Sequence, residues 1–111
     1  MEQFYILFGS RTAAETLLFI AAYETGYASR IAETFGNSLN GVQRQLLKFE
    51  TNGIFVSRTV GRTRVFEFNP RSPLAKSLKE FLLEQMDCLP RDVYKQYFCQ
   101  RQRPRRTGKG L

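Results

Sequence analysis

Residues 36–68 read GNSLNGVQRQLLKFETNGIFVSRTVGRTRVFEF, and this stretch decides the fold. It opens with a glycine turn and continues with apolar residues at helical spacing. It closes with two segments rich in Val, Phe and Thr on either side of Gly61 and Arg62. These features predict, in order, a turn, a helix, a strand, a basic hairpin tip and a second strand.

The helix in this stretch is predicted to be amphipathic. With about 100° of rotation per residue, its apolar face holds Leu39, Val42, Leu46 and Phe49, and its polar face holds Asn40, Arg44 and Lys48. Ser38 is a suitable N-cap. The connection from Gly36 to Ser38 has the length of a helix-turn-helix corner, which requires a glycine to close the preceding helix.

The hairpin follows directly. Residues 54–59 are predicted to pair with residues 64–68 across the tip formed by Gly61 and Arg62. Because side chains alternate along a strand, we expect Val56, Val65 or Phe66 to face the core.

Two helices are predicted upstream of the corner. Thr12 and Glu15 have the spacing of a capping box, which places a helix start at Thr12 and an apolar stripe from Ala14 to Ala22. Thr25 and Gly26 would end this first helix. A second helix is expected over residues 28–35, closed by Gly36.

A long helix and a shorter one are predicted after the hairpin. Ser72 is a good N-cap and Pro73 suits the first helical position. The apolar residues expected to pack on the core are Leu74, Leu78, Phe81, Leu82 and Met86. Pro90 breaks the pattern before a helical stretch over residues 92–98. We therefore expect a domain at residues 1–90 and a basic helical extension and tail at residues 91–111.

Length and charge bound the class of protein. A chain of 111 residues supports one domain, and a hydrophobic content of 42% can fill its core. The net charge of +7 is concentrated at the C-terminus, because residues 91–111 hold seven Lys and Arg against one acidic residue. Such a tail commonly contacts nucleic acid or another polyanion, although a solubilising role is the simpler alternative.

Composition also argues against several functions. The chain has no histidine, so the usual Cys/His zinc site is not expected, and no metal or other cofactor is predicted. Neither Cys88 nor Cys99 has an evident base, and the acidic residues are scattered singly, so we predict that the protein is not an enzyme. Buried, reduced thiols are expected, with a redox-sensitive pair as the alternative. No membrane span or secretion signal is recognised, and we expect a cytoplasmic protein.

Together these patterns predict a mainly α fold with a small β-hairpin, a winged helix-turn-helix. The segments Leu7–Thr12, Val42–Leu46, Asn52–Ile54 and Asn69–Leu74 resemble the small prokaryotic winged helix-turn-helix transcriptional regulators of the ArsR/MarR-like group, of the nucleotidyltransferase-associated type. The resemblance covers roughly residues 7–83. It implies a DNA-binding regulator, and members of the group often occur beside nucleotidyltransferases.

The chain also departs from that group. Metal-sensing members carry a cysteine pair on the recognition helix, where this chain has residues 39–44, so metal sensing is not implied. The MarR-type wing favours an Asp before its arginine. Because Gly61 and Arg62 lack it, the resemblance favours the ArsR-like side.

Candidate DNA contacts lie on the third helix first. Arg44 can bond two acceptors of a guanine, and Asn40 can pair with an adenine. Gln43 is a second base reader and Lys48 a phosphate contact. An ordinary solvated helix face is the simpler alternative. Leu47 can touch a thymine methyl or be buried against a neighbouring element.

Further candidates surround that helix. They are Ser29, Arg30 and Ser38 near the helix starts, Arg58, Arg62 and Arg64 on the hairpin, and Arg101, Arg103, Arg105 and Arg106 in the tail. A helix start favours phosphate, and a hairpin arginine can enter a minor groove. A cap at Ser29 and protection against edge pairing by the hairpin charges are the alternatives.

These residues predict a sequence-specific, double-stranded DNA-binding transcriptional regulator, a dimeric repressor. We expect the homodimer to form through the first helix, the apolar N-terminal segment and the helices after Ser72. The alternative is a winged-helix protein-interaction module that docks a partner such as a nucleotidyltransferase or a mobile-element complex.

Overall fold

The computed structural model describes residues 2–99 and confirms a mainly α fold with a small sheet, arranged as a winged helix-turn-helix. In chain order the elements are α1 (Glu2–Leu7), α2 (Arg11–Tyr23), β1 (Thr25–Gly26), α3 (Ala28–Phe35), α4 (Leu39–Thr51), β2 (Phe55–Val60), β3 (Thr63–Phe68), α5 (Pro73–Asp87) and α6 (Arg91–Phe98). The strands form one antiparallel sheet in the order β1-β3-β2.

Helix α2 is the centre of the domain, and every residue from 13 to 21 is buried. Its start corrects the predicted capping box. The N-cap is Ser10, whose Oγ accepts a hydrogen bond from the Ala13 amide at 2.9 Å, and Glu15 lies one turn further in. Neighbouring elements cover residues 13–21 of α2, which leaves the ends of the helix as its accessible surface.

The sequence patterns did not predict strand β1. Helix α2 ends at Tyr23, Glu24 adopts a φ of 72°, and residues 25–26 pair with β3 instead of forming a simple helix end. Gly26 lies against the core, where an added Cβ would be 2.9 Å from Cδ1 of Phe19. A two-residue strand carries no periodicity, so its pairing depends on tertiary contacts.

The helix-turn-helix corner agrees with the prediction. Helix α3 ends where Gly36 takes the left-handed conformation at φ 72°, and Ser38 caps α4 by accepting a hydrogen bond from the Gly41 amide at 3.0 Å. Val42 and Leu46 are buried as predicted. Leu39 is 47% exposed, so its predicted place in the core is wrong. It lies at the edge of the apolar face, next to solvent.

The hairpin of β2 and β3, residues 55–68, is called the wing below. Val60 pairs with Thr63, so Gly61 and Arg62 form the tip as predicted, with Gly61 at φ 64°. Phe66 is buried, whereas Val56 and Val65 are half-buried. Phe55 supplies the second large core side chain of the sheet.

Helix α5 begins as predicted, with Ser72 Oγ accepting a hydrogen bond from the Ala75 amide at 3.1 Å. Leu82 and Met86 are buried, but Leu74 is 66% exposed and Ala75 occupies the core in its place. The predicted burial of Leu74 is therefore wrong by one position.

Helix α6 packs on the same core. Phe98 is buried, and Tyr23 donates a hydrogen bond to the Tyr97 carbonyl oxygen at 2.8 Å. Both Cys88 and Cys99 are exposed free thiols, which corrects the expectation that they would be buried. Between residues 2 and 99, no helix combines the length and apolar content that a membrane crossing requires.

Helix α1 was not predicted. Phe4 holds it to the domain through ring contacts with Phe8, at 4.9 Å between centroids, and with Phe81, at 6.4 Å. Ile6 and Leu7 remain exposed. The apolar N-terminal segment is thus a helix of six residues with part of its apolar surface exposed.

Candidate nucleic-acid interface

The start of α3, the outer face of α4 and the wing enclose an open cleft of about 370 Å³. Its side chains come from Tyr27 and Ser29 near the start of α3, from Leu39, Gln43 and Leu47 on α4, and from Arg62 and Arg64 on the wing. The cleft exists because the corner at Gly36 turns α4 away from α3 while β2 follows α4 after a short turn.

The polar residues predicted on α4 are all on its outer face. Asn40, Gln43, Arg44 and Lys48 are exposed. Among the residues that the structure describes, Arg44 and Lys48 form no ion pair with a carboxylate. Cations that are not neutralised internally leave a positive helix face, which favours an anion.

Two exposed leucines share this face. Leu39 is 47% and Leu47 45% exposed, and Gln43 lies between them at four-residue spacing. Side chains four apart are neighbours on a helix, so the three form a row beside the polar one. The buried contact considered for Leu47 is therefore not what the structure shows.

The wing arginines differ from one another. Arg58 Nη1 lies 3.2 Å from Glu67 Oε2, across the hairpin. Arg64 Nη2 pairs with Glu50 at the end of α4, and its Nε donates to Ser57 Oγ at 3.0 Å.

The Arg64 pair connects the wing to α4. Ser57 in turn donates to Glu50 Oε2, so both strands of the wing are bonded to the end of the helix. The guanidinium of Arg64 also lies 5.3 Å from the ring centroid of Phe66. This cluster sets the distance between wing and helix. Arg62 at the tip has no carboxylate partner within residues 2–99 and remains available to a ligand.

The residues at the helix starts lie beside the cleft. Tyr27 is the N-cap of α3 and makes no side-chain cap bond, so the alternative that Ser29 caps this helix is wrong. Ser29 is exposed at the second helical position, with Arg30 after it. Ser38 caps α4 and is exposed. Uncapped amides at a helix start carry a partial positive charge that favours phosphate.

A buried carboxylate of α2 forms a hydrogen bond to the corner between α3 and α4. Glu15 is fully buried and accepts hydrogen bonds from Tyr5 Oη at 2.9 Å, Arg11 Nε at 3.2 Å and Asn37 Nδ2 at 2.7 Å. Burial, then the hydrogen bond to Glu15 and its negative charge, raises the pKa of Tyr5 from 10.0 to about 12. The same partner raises the pKa of Arg11.

This cluster was missed because its members come from three places. Tyr5 lies in α1, Glu15 in α2 and Asn37 in the corner between α3 and α4. A charge in an otherwise apolar run was the available signal, since an acidic residue is rarely buried without partners. The capping-box spacing offered a local explanation for Glu15, so its burial among Tyr5, Arg11 and Asn37 was not predicted.

The tail candidates Arg101, Arg103, Arg105 and Arg106 lie outside the described residues. Within residues 2–99, no three or more Cys, Asp or Glu side chains are grouped closely enough to hold a metal ion.

A capped helical corner, an exposed helix α4 and a basic two-stranded wing define the class of winged helix-turn-helix folds. Solved structures of this fold resemble the chain. One is Lactococcus lactis ZitR as a double mutant in its apo form, with 18% identity, a TM-score of 0.50, and coverage of 85% of this chain and 78% of that one.

A second match is a crystal structure described as a zinc-responsive MarR family member, also L. lactis ZitR. It has 20% identity and a TM-score of 0.49, covering 78% of this chain and 67% of that one. No family model matches the sequence, and no curated protein sequence matches it. At such identities the likeness concerns the fold.

Proposed function

We propose that this protein is a sequence-specific, double-stranded DNA-binding transcriptional regulator that acts as a dimeric repressor and not as an enzyme. The observation that carries the proposal is the outer face of α4. It presents two amides, Asn40 and Gln43, and two cations, Arg44 and Lys48, beside a cleft bordered by Arg62 of the wing, and none of these three cations has a carboxylate partner within residues 2–99. A helix of this kind fits the major groove, while a basic hairpin reaches the adjacent backbone or minor groove.

The proposed roles follow from side-chain chemistry. Arg44 bonds the O6 and N7 acceptors of a guanine, and Asn40 pairs with an adenine near the start of α4. Gln43, next to the cleft, is the second base reader. Lys48 contacts a phosphate, because its ammonium group is a point charge without the planar fork of arginine.

Phosphate contacts are proposed for the residues around α4. Ser29, Arg30 and Ser38 lie at two helix starts, where backbone amides favour an anion. Arg62 inserts from the wing tip, while Arg58 and Arg64 act mainly through the ion pairs that hold the wing in shape. The tail arginines 101, 103, 105 and 106 add affinity without sequence preference.

A homodimer is proposed through α1 and α5. Ile6 and Leu7 on α1 and Leu83 on α5 are exposed, and apolar side chains of this size favour burial against a partner. A two-fold dimer would place its two α4 helices about 34–36 Å apart, so we expect a palindromic operator with half-sites one helical turn apart.

We also propose that the protein is of the ArsR-like, nucleotidyltransferase-associated type. Its chain would divide into a DNA-binding domain at residues 1–90 and a basic extension at residues 91–111. Helix α6 packs on the domain core through Phe98, so the extension would begin on the domain and continue into the tail.

The alternative function is a protein-interaction module that docks a partner such as a nucleotidyltransferase or a mobile-element complex. Leu39 and Leu47 favour it, because exposed leucines are common in protein interfaces and less expected on a DNA-reading helix. Arg44 and Lys48 beside them, which have no carboxylate partner in the described part of the chain, favour a polyanion instead.

Selection from a random duplex library tests the main proposal. Full-length protein is mixed with the library at about 150 mM salt, which suppresses non-specific phosphate attraction, and the retained DNA is sequenced. We expect one enriched palindrome. The double variant Asn40→Ala, Arg44→Ala should lose the enrichment, whereas Lys48→Ala should keep the same sequence with lower affinity. Retention without enrichment would contradict sequence-specific regulation.

Truncation after Cys99 separates the tail from the domain. Loss of the basic tail should lower affinity for every duplex and flatten the dependence of affinity on salt, while the enriched sequence stays the same. A truncated protein that prefers another sequence would show that the tail reads bases.

A further inference from the structure

The row formed by Leu39, Gln43 and Leu47 is not explained by packing. All three side chains line the cleft, and both leucines keep close to half of their surface exposed, although Val42 and Leu46 on the adjoining face of the helix are buried. Eight residues of α-helix advance about 12 Å, so the row has a length comparable to three or four base-pair steps.

The surroundings of the row indicate what covers it. Arg62 borders the cleft from the wing, and Arg44 lies beside Gln43 on the same helix. Neither has a carboxylate partner within the described residues. An apolar protein surface would have to cover these cations at a desolvation cost, whereas a nucleic acid supplies phosphates for them. The occupant must therefore combine phosphates with exposed methyl groups.

The major groove of DNA has that combination. Thymine places a C5 methyl group at the floor of the groove, and apolar side chains recognise it by contact. The amide of Gln43 matches the N6 and N7 atoms of adenine, the base paired with thymine. Leucine on either side of an amide is thus chemically suited to A·T pairs.

We propose that Leu39 and Leu47 are specificity-determining residues that contact thymine methyl groups on either side of the base bonded by Gln43. The proposal rests on the DNA-binding function above and adds the chemistry of the sequence read. Each half-site then contains thymines at positions that Arg44 and Asn40 do not contact, and the methyl groups are recognised separately from the hydrogen-bonding pattern.

Deoxyuridine tests this directly, because it lacks the C5 methyl group and pairs as thymine does. Each thymine of the enriched duplex is replaced singly by deoxyuridine, and affinity is measured at constant salt. Removing a contacted methyl should weaken wild-type binding about fourfold, as expected for one buried carbon group. At least two positions per half-site should show this penalty.

Protein variants test which leucine contacts each methyl group. Leu39→Ala should abolish the penalty at one position and Leu47→Ala at another, while each binds the thymine duplex more weakly than the wild type does. Alanine favours helix and both sites are exposed, so the fold should persist, as unchanged circular dichroism would show. The matched control, Lys48→Ala, should weaken binding to thymine and deoxyuridine duplexes equally.

The outcomes separate this proposal from the function on which it rests. If an operator is enriched but deoxyuridine binds as well as thymine at every position, the methyl contacts are refuted and sequence-specific binding stands. If the penalties persist in both leucine variants, other residues read the methyl groups and the assignment is wrong. If no duplex is enriched, both proposals fail.

Discussion

Replacing Glu15 should destabilise the whole domain, although this residue lies outside the proposed DNA-binding surface. Its carboxylate is fully buried and accepts hydrogen bonds from Asn37 at 2.7 Å, Tyr5 at 2.9 Å and Arg11 at 3.2 Å. In Glu15→Ala the half-buried Asn37 amide and the Tyr5 hydroxyl lose their acceptor. The corner before α4 and the attachment of α1 lose support together.

The expected magnitude follows from these contacts. Arg11 is 63% exposed, so water screens its ion pair and its share is small. The two remaining bonds end on a charged group, and each contributes about 1.5–3 kcal/mol. Glu15→Ala should therefore lower the free energy of unfolding by about 3–6 kcal/mol. Glu15→Gln should cost about half as much, because an amide can accept from Asn37 and donate to Tyr5.

Urea denaturation followed by circular dichroism measures this loss, with Glu80→Ala as the matched control. Glu80 is an exposed glutamate in α5, and its removal should change stability by less than about 0.5 kcal/mol. A loss of 3 kcal/mol should also lower the Tm by roughly 12 °C or more. Amide hydrogen exchange should increase first in α1 and at the corner around Asn37.

Two results would refute the reasoning. If Glu15→Ala lost no more stability than Glu80→Ala, the cluster would contribute nothing to folding. If Glu15→Gln and Glu15→Ala were equally destabilised, loss of the charge rather than of the hydrogen bonds would account for the effect.

Three further predictions concern stability. Gly26→Ala brings a Cβ to 2.9 Å from Phe19, and such overpacking should lower the free energy of unfolding by about 1–3 kcal/mol. Urea denaturation measures this loss, and an unchanged midpoint would contradict the clash. Thr16 is fully buried, and its hydroxyl has no hydrogen-bond partner among the described residues. Thr16→Val should therefore raise the free energy of unfolding by about 1 kcal/mol. Thermal melts measure the change, and a lower Tm would show that the hydroxyl has a partner. Tyr5 has its pKa raised from 10.0 to about 12, so its stabilising effect is fully present below pH 10.0 and is lost as the pH rises to 12, because the unfolded chain ionises first. Tyr5→Phe should therefore show a shallower fall of Tm across that range, and identical slopes would contradict the assignment.

Local signals in the sequence determined most of the elements. The left-handed glycine after α3, the serine caps of α4 and α5 and the two-residue turn of the wing each depend on a few adjacent residues. The predicted bounds of α3 and the position of the wing tip were confirmed for this reason. The exposed row of Asn40, Arg44 and Lys48 also follows from the helical period alone.

The tertiary structure decided what the periodicity left open. A period fixes which residues share a face, but the depth of burial at the edge of that face depends on neighbouring elements, so Leu39 and Leu74 are exposed against expectation. The pairing of the strand at residues 25–26, the ion pair between Arg64 and Glu50 and the burial of Glu15 depend on contacts between different elements. Their partners are set by chain packing, so no local pattern contains them. The sequence by itself determined most of the elements, but not α1 or β1, and only the folded chain determined which of the described side chains remain available to a ligand.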